Sequence, residues 1–333
     1  MKIGKLEIRP NSQLVLLVLI ALIWICFGFV NPNIVSVANT YSLLRSSIVP
    51  LMLALPQMLI IAMGGTDMSF TVIASISSYM TLRMWDLYGS AGTSSALLLL
   101  CAVAIGVVCY LINWFLVEKV KISAFIATLG VNSMLKGFVL AFVSSSYVNS
   151  LPDGLKAFSS FSIATAINSD GVEYVLHVSV IFVVILYILL YLMMEKTVFG
   201  REIYSIGADE DAARRAGINV ARVRLFAFIL AGVICGFAGI LHDSLSRFSM
   251  PLPTDVVGKE LNSIAAVVIG IGGSKKACGM VTGTFLGVIL LQLVSTNLVM
   301  LGVPSYWQQF VSGVIILIGL SLQAMQAMRK TRG

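Results

Sequence analysis

Residues 277–328, ACGMVTGTFLGVILLQLVSTNLVMLGVPSYWQQFVSGVIILIGLSLQAMQAM, run for 52 positions without a single Asp, Glu, Lys or Arg. About 20 apolar residues in a helix cross the hydrocarbon core of a bilayer, so this stretch is long enough for two passages. The sequence Gly302-Val303-Pro304 breaks it in the middle, because glycine ends a helix and proline cannot continue one.

The same pattern extends over the rest of the chain. Of the 333 residues, 58% are hydrophobic and 11% are charged, against about 25% charged in an average soluble domain. This composition predicts an all-α polytopic transmembrane bundle in a single domain, 1–333. Ten spans can be drawn, at 14–30, 44–63, 67–85, 94–116, 123–143, 174–194, 224–243, 260–273, 279–299 and 306–326. Charges bracket the third and eighth, which read as broken or re-entrant elements.

Basic residues set the orientation, since cytoplasmic loops carry the excess of Lys and Arg. Ten spans with both termini in the cytoplasm put 16 of the 22 Lys and Arg on the inside. The six others are Arg45, Arg83, Lys136, Lys156, Arg247 and Lys259. Segment 144–173 is polar, Ser-rich and nearly free of basic residues, and reads as an external loop. Segment 195–224 holds six basic and five acidic residues in 30 and reads as a cytoplasmic loop.

Several other classes do not fit. The net charge of +7 sits in short loops rather than on one face of a domain, so nucleic acid is not an expected partner; the lipid bilayer is. The five cysteines form no CxxC pair and read as small buried hydrophobes. The apolar segment 14–30 follows Lys2, Lys5 and Arg9 but no small-residue cleavage site follows it, which reads as a retained first helix.

Within the inner loop, Ala208 to Gly217 reads as a short helix with marked ends. Asp209 can cap its start, and Glu210 and Asp211 lie in the first turn, where the helix dipole favours acids. Arg214 and Arg215 fill the last turn and Gly217 supplies a left-handed stop. A helix this short is marginal alone in water, so packing must hold it.

Here the residues carry a resemblance. Thr197-Val198-Phe199-Gly200-Arg201-Glu202-Ile203-Tyr204-Ser205-Ile206-Gly207, continuing to Ala212-Ala213-Arg214 and Ala216-Gly217-Ile218, resembles the signature loop of the ribose/xylose/autoinducer-2 class of ABC importer permeases. Phe125-Ile126-Ala127-Thr128-Leu129-Gly130, Leu261 to Gly270, Gly279 with Gly283-Thr284 and Gly287, and Tyr306-Trp307-Gln308-Gln309 follow in that family's order.

The resemblance implies a type II ABC importer-like fold. It also implies a coupling helix formed by Asp209, Glu210, Asp211, Ala213, Arg214, Arg215 and Gly217, which docks on a separate ABC ATPase subunit. The other partners it implies are a second permease subunit and an extracytoplasmic solute-binding protein. The chain departs from the family at Gly64-Gly65-Thr66-Asp67-Met68-Ser69-Phe70-Thr71, where a final Gly is lost, and at Lys276-Ala277-Cys278-Gly279.

A translocation path for a sugar or sugar-like solute needs hydrogen-bonding and aromatic groups facing water. Polar residues within spans are the candidates, because burying them unpaired is costly. These are Phe125, Thr128, Asn132, Asp67, Asn297, Trp307 and Gln308, with Gln292 beside them. Each has a plainer reading as an interhelical hydrogen bond or an interfacial aromatic. His177 and His242 lie near span ends and form no metal-ligand set.

The chain has no GxxxxGK[ST] loop for ATP and no HExxH, and is not expected to be an enzyme or to need a cofactor. The competing class is an ion-coupled secondary transporter. It would place ionisable groups at mid-membrane, and apart from Lys136 the spans read as almost empty of them.

Overall fold

The computed structural model describes residues 12–89, 93–168, 171–271 and 279–304, together with positions 307, 310, 311, 313, 314 and 317. The chain enters with α1 (Ser12–Val30), α2 (Val37–Ala62), α3 (Phe70–Tyr88), α4 (Ser95–Trp114) and α5 (Ala124–Phe138). Next come the short α6 (Asp153–Ser159) and strands β1 (Ser162–Ile167) and β2 (Glu173–His177). Then follow α7 (Ser179–Lys196), α8 (Val198–Ala208), α9 (Glu210–Arg215), α10 (Val220–Ser246), α11 (Glu260–Ile271) and α12 (Met280–Met300).

Among the described residues, seven helices are long and apolar enough to cross a membrane. α3 is long enough but less apolar, carrying the Arg83–Asp86 ion pair at 2.6 Å. α11 is apolar but only 12 residues long. These are the third and eighth spans, whose bracketing charges mark them in the sequence. Most of the expected tenth span, 306–326, lies outside the described residues.

The sixth expected span, 174–194, needs correction at its start. Residues 173–177 form β2, paired antiparallel with β1, and the helix begins at Ser179. Segment 144–173, expected to be external, thus holds a short helix and most of a β-hairpin, and the fold is helical rather than strictly all-α. His177 joins these pieces: Nδ1 lies 2.8 Å from Ser179 Oγ and Nε2 lies 2.9 Å from Phe158 O. Burial pushes this imidazole below its ordinary pKa.

Of the seven long apolar helices, α2 and α10 are the most enclosed. α2 keeps its course through Pro50 and Pro56. Between them, Tyr187 of α7 donates a hydrogen bond to Leu51 O at 2.9 Å, tying α7 to α2.

Helix association in lipid depends on close backbone approach, and glycines provide it along two seams. A Cβ on Gly106 of α4 would come within 2.6 Å of Gly232 O on α10, and one on Gly236 would meet Val103 Cα at 2.6 Å. Gly283 and Gly287 of α12 press likewise on the backbones of Gly270 and Ala266 in α11. The small-residue faces are thus packing seams within one chain.

A Cβ at Gly232 would lie 2.7 Å from Val107 Cα and 2.9 Å from Gly106 O, and backbone cannot give way as a side-chain tip can. Gly232→Ala is expected to cost about 1–3 kcal/mol through overpacking, read as a lower melting temperature of the detergent-solubilised protein.

Candidate functional site

The chain between α2 and α3 is not helical. Gly64, at φ 82°, turns the backbone out of α2, and residues 65–69 run irregularly until α3 begins. Backbone groups inside a bilayer need partners from the protein, since lipid offers none. Two neighbouring helices, α2 and α5, supply them. Gln57 Oε1 on α2 accepts from Asp67 N at 3.2 Å, and Thr128 Oγ1 on α5 accepts from Met68 N at 2.9 Å. The side-chain amide of Asn132, one turn further along α5, donates to Met68 O.

Asp67 itself is fully buried. Its Oδ1 accepts from Ser69 N at 2.6 Å and from Ser69 Oγ at 2.7 Å, which closes a turn just before α3. Its Oδ2 accepts from Tyr110 OH on α4 at 2.6 Å, and Asn113 Nδ2 donates to Ser69 Oγ at 2.8 Å.

This geometry bears on the path candidates. Asp67, Thr128 and Asn132 come together, but as a clamp on the broken segment. Phe125 is half-exposed on the outer side of α5, and Trp307 is half-exposed as well. Asn297 is buried and its Oδ1 accepts from Asn39 Nδ2 at 3.1 Å, an interhelical bond between α12 and α2. Gln308 lies outside the described residues.

A cavity of about 720 Å³ lies elsewhere, among α2, α10, α11 and α12. Gln292 lines it, with Arg45, Asn39, Asp255, Lys259 and Asn262. None of Phe125, Thr128, Asn132, Asp67, Asn297 and Trp307 does. Span polarity alone does not separate a group facing a cavity from one bonded to a neighbouring helix. Arg45 and Lys259 carried a usable signal, being cations at the outer ends of apolar runs.

Ionisable groups are also less scarce in the drawn spans than their sequence suggests. Asp243 accepts from Ser249 Oγ at 2.5 Å and lies 3.0 Å from His242 Nδ1. Glu260 accepts from Thr71 Oγ1 at 2.6 Å and Gly258 N at 3.1 Å. Each sits at a helix end with donors around it.

At the opposite end of the bundle, the short helix of the 195–224 loop is α9. Asp209 caps it, Oδ1 accepting from Ala212 N at 2.9 Å, and Gly217 ends it at φ 86°. It follows α8, whose Gly207 lies directly on the Ala62 carbonyl beside Gly64. Ala213 is buried against the core, whereas Asp211, Arg214 and Arg215 are exposed and Glu210 is partly so. Asp211 and Arg215 have no ion-pair partner among the described residues.

Sequence reading missed what holds α9. Arg224, buried at the start of α10, donates through Nη2 to Glu210 Oε2 at 2.7 Å and through Nη1 to Glu118 Oε2 at the end of α4. Arg214 bonds Glu210 Oε1 at 2.7 Å, and Lys121 bonds Glu118 Oε1 at 2.9 Å. The Arg214 guanidinium, with Arg224, holds the Glu210 carboxyl below its ordinary pKa. That contribution is present above the ordinary carboxylate range and is lost as pH falls through the lowered value. Glu118, an acid closing one apolar run, and Arg224, a cation opening another, were the available sequence signal.

The family profile described as branched-chain amino acid transport system / permease component matches residues 39–320. The ribose import permease protein of Escherichia coli K12 is 30% identical over 313 residues, covering 94% of this chain and 92% of its own length. That of Bacillus subtilis 168 is 31% identical over 95% of this chain and 92% of its own length. The autoinducer 2 import system permease protein of Salmonella typhi is 28% identical over 93% of this chain and 85% of its own length. No solved structure matches the chain.

The clamp on Met68 gives a test. Thr128→Val keeps the shape and removes the acceptor, leaving a buried N–H unpaired at a cost of about 1–3 kcal/mol. The expected result is a lower melting temperature in detergent. Unchanged stability with altered solute uptake would instead put Thr128 on the path.

Proposed function

The chain belongs to the family of branched-chain amino acid transport system / permease components, and from that premise we propose that it forms the translocation path for a sugar or sugar-like solute in an ATP-driven bacterial importer. The family is one of membrane permease components, and ATP hydrolysis falls to a separate ABC ATPase subunit. The family's description speaks of amino acids. The relatives along nearly the whole chain are named for ribose and autoinducer 2, and these favour a ribose-type carbohydrate.

The working assembly has two permease subunits in the inner membrane, ATPase subunits in the cytoplasm and a solute-binding protein outside. Each permease has ten spans, with both termini and the 195–224 loop inside and the 144–173 loop outside. α9 is the docking element for the ATPase. One observation supports this most directly: α9 is capped at both ends, tied inward by Ala213 and Glu210, and left with Asp211 and Arg215 facing out unpaired. A loop that merely connected two spans would need no such fixed, charged face. ATP can favour one permease state only through contacts that differ between states, and α9 is where this chain offers them.

An ion-coupled secondary transporter is the other reading. The buried carboxylates Asp67, Asp243 and Glu260 raise its standing, but Asp67 and Glu260 accept from backbone N–H groups at turns and Asp243 from Ser249 Oγ.

Co-expression with the genomic neighbours tests the proposal. The chain is expected to co-purify with an ATPase in mild detergent. The double charge reversal Asp211→Arg with Arg215→Glu, which leaves the Glu210–Arg224 tie untouched, is expected to lose it. An ATPase retained by the double variant removes α9 as the docking element. No ATPase under any mild detergent removes the importer reading and favours the secondary transporter.

A further inference from the structure

The α8–α9 segment touches the membrane helices in two ways. Gly207 lies on the Ala62 carbonyl at the end of α2, and Glu210 lies on Arg224. The second contact continues beyond α10. Arg224 is 8% exposed and divides its fork between two carboxylates on different elements. One of them, Glu118, is 5% exposed and also draws Lys121 at 2.9 Å and Arg214 at 3.6 Å.

Glu118 lies in the single π turn Phe115–Lys119 that ends α4. Lys121, three residues on, is held at φ 64°, a conformation unfavourable for a residue with a Cβ. α5 starts at Ala124, and one turn along it Thr128 takes the Met68 N–H. The ion pairs thus connect the cytoplasmic helix α9, the start of α10, the α4–α5 corner and, through α5, the broken segment between α2 and α3.

We propose that Arg224, bridging Glu210 and Glu118, is a positioning residue that makes α9, α10 and the α4–α5 corner move as one body, so that force applied to α9 reaches α5. The inference rests on the docking reading above. Three physical points carry it. A guanidinium fork fixes two partners in one geometry, where an ammonium supplies a point charge. A buried ion pair repays its desolvation poorly compared with apolar packing, so its distinct contribution is geometric rather than stabilising. Finally, the chain offers a discrete set of connected contacts, and coupling between distant sites needs such a set together with a demonstration that both ends respond.

The demonstration needs no knowledge of the solute. Ile126 is exposed on α5, and Ile126→Cys in the full permease–ATPase complex can be labelled with a maleimide, with and without ATP. Labelling of the same complex lacking that cysteine is subtracted. The expected result is that ATP changes the labelling rate at position 126 by about fivefold or more. In Glu118→Gln the ATPase remains bound and hydrolyses ATP, but the change at 126 disappears.

Arg224→Lys keeps the buried charge and guards against a folding failure in the first variant. It is expected to retain the ATPase and the melting temperature while reducing the ATP-dependent change. A network that served only stability would lower the melting temperature in Glu118→Gln, recover in Arg224→Lys, and leave the labelling change intact in whatever complex remained. That outcome overturns the inference, and so does an ATP-independent rate at 126 in the otherwise unsubstituted complex. Failure of the unsubstituted chain to bind any ATPase overturns the docking reading and this inference together; bound ATPase with labelling changes unaffected by both variants overturns the inference alone.

Discussion

A non-helical backbone inside a bilayer is tolerable only when its N–H and C=O groups find partners within the protein. Between Gly64 and Ser69 this chain meets that constraint with side chains from α2 and α5, while α4 holds the Asp67 and Ser69 side chains, and the arrangement of these helices follows from it. α4 must present Tyr110 and Asn113, α5 must present Thr128 and Asn132, and α2 must turn Gln57 back toward its own exit. Helices committed to one such cluster cannot slide freely past each other. The glycine seam between α4 and α10 then brings α10 alongside. Cys235 of α10 approaches Tyr110 OH at 3.7 Å, joining α10 to the same cluster.

Much of this was legible in the sequence, for identifiable reasons. Long uncharged runs report membrane spans because the bilayer penalises charge wherever it falls along a segment. The ends of α9 were legible because capping is local: Asp209 and Gly217 act on backbone within three residues of themselves. Gly232 and Gly236 of α10, and Gly283 and Gly287 of α12, are spaced by four, which puts each pair on one helix face where the missing side chains admit a neighbouring backbone.

The β-hairpin was not legible. Residues 173–177 continue into the apolar α7, and a short apolar run adjoining a span has no period of its own to separate strand from helix. Thr128 and Asn132 illustrate a different limit. Their spacing put them correctly on one face of α5, yet a hydroxyl and an amide on one face suit a water-filled path and a buried backbone equally well. Only the position of Met68, 60 residues earlier in the chain, separates the two. The Glu118–Arg224 tie spans 106 residues, and neither partner is unusual at the inner end of a span.

The two ends of α10 show why charge is tolerated at these depths. At its N-terminal end Arg224 joins Glu118 and Glu210; at its C-terminal end His242 lies between Asp243 and Asp255, with Nε2 2.9 Å from Asp255 Oδ2. Both clusters lie within a turn or two of a helix terminus, where residues beyond the helix supply partners. Between them α10 carries apolar and small residues from Leu225 to Leu241. A helix of 27 residues, pinned by ions at both ends and pressed through its glycines against α4, is suited to rigid displacement rather than bending. Its neighbour α2 carries Pro50 and Pro56 within one continuous helix and ends in the Gly64 turn. The α8–α9 segment contacts both helices, Glu210 meeting Arg224 of α10 and Gly207 meeting the Ala62 carbonyl at the end of α2.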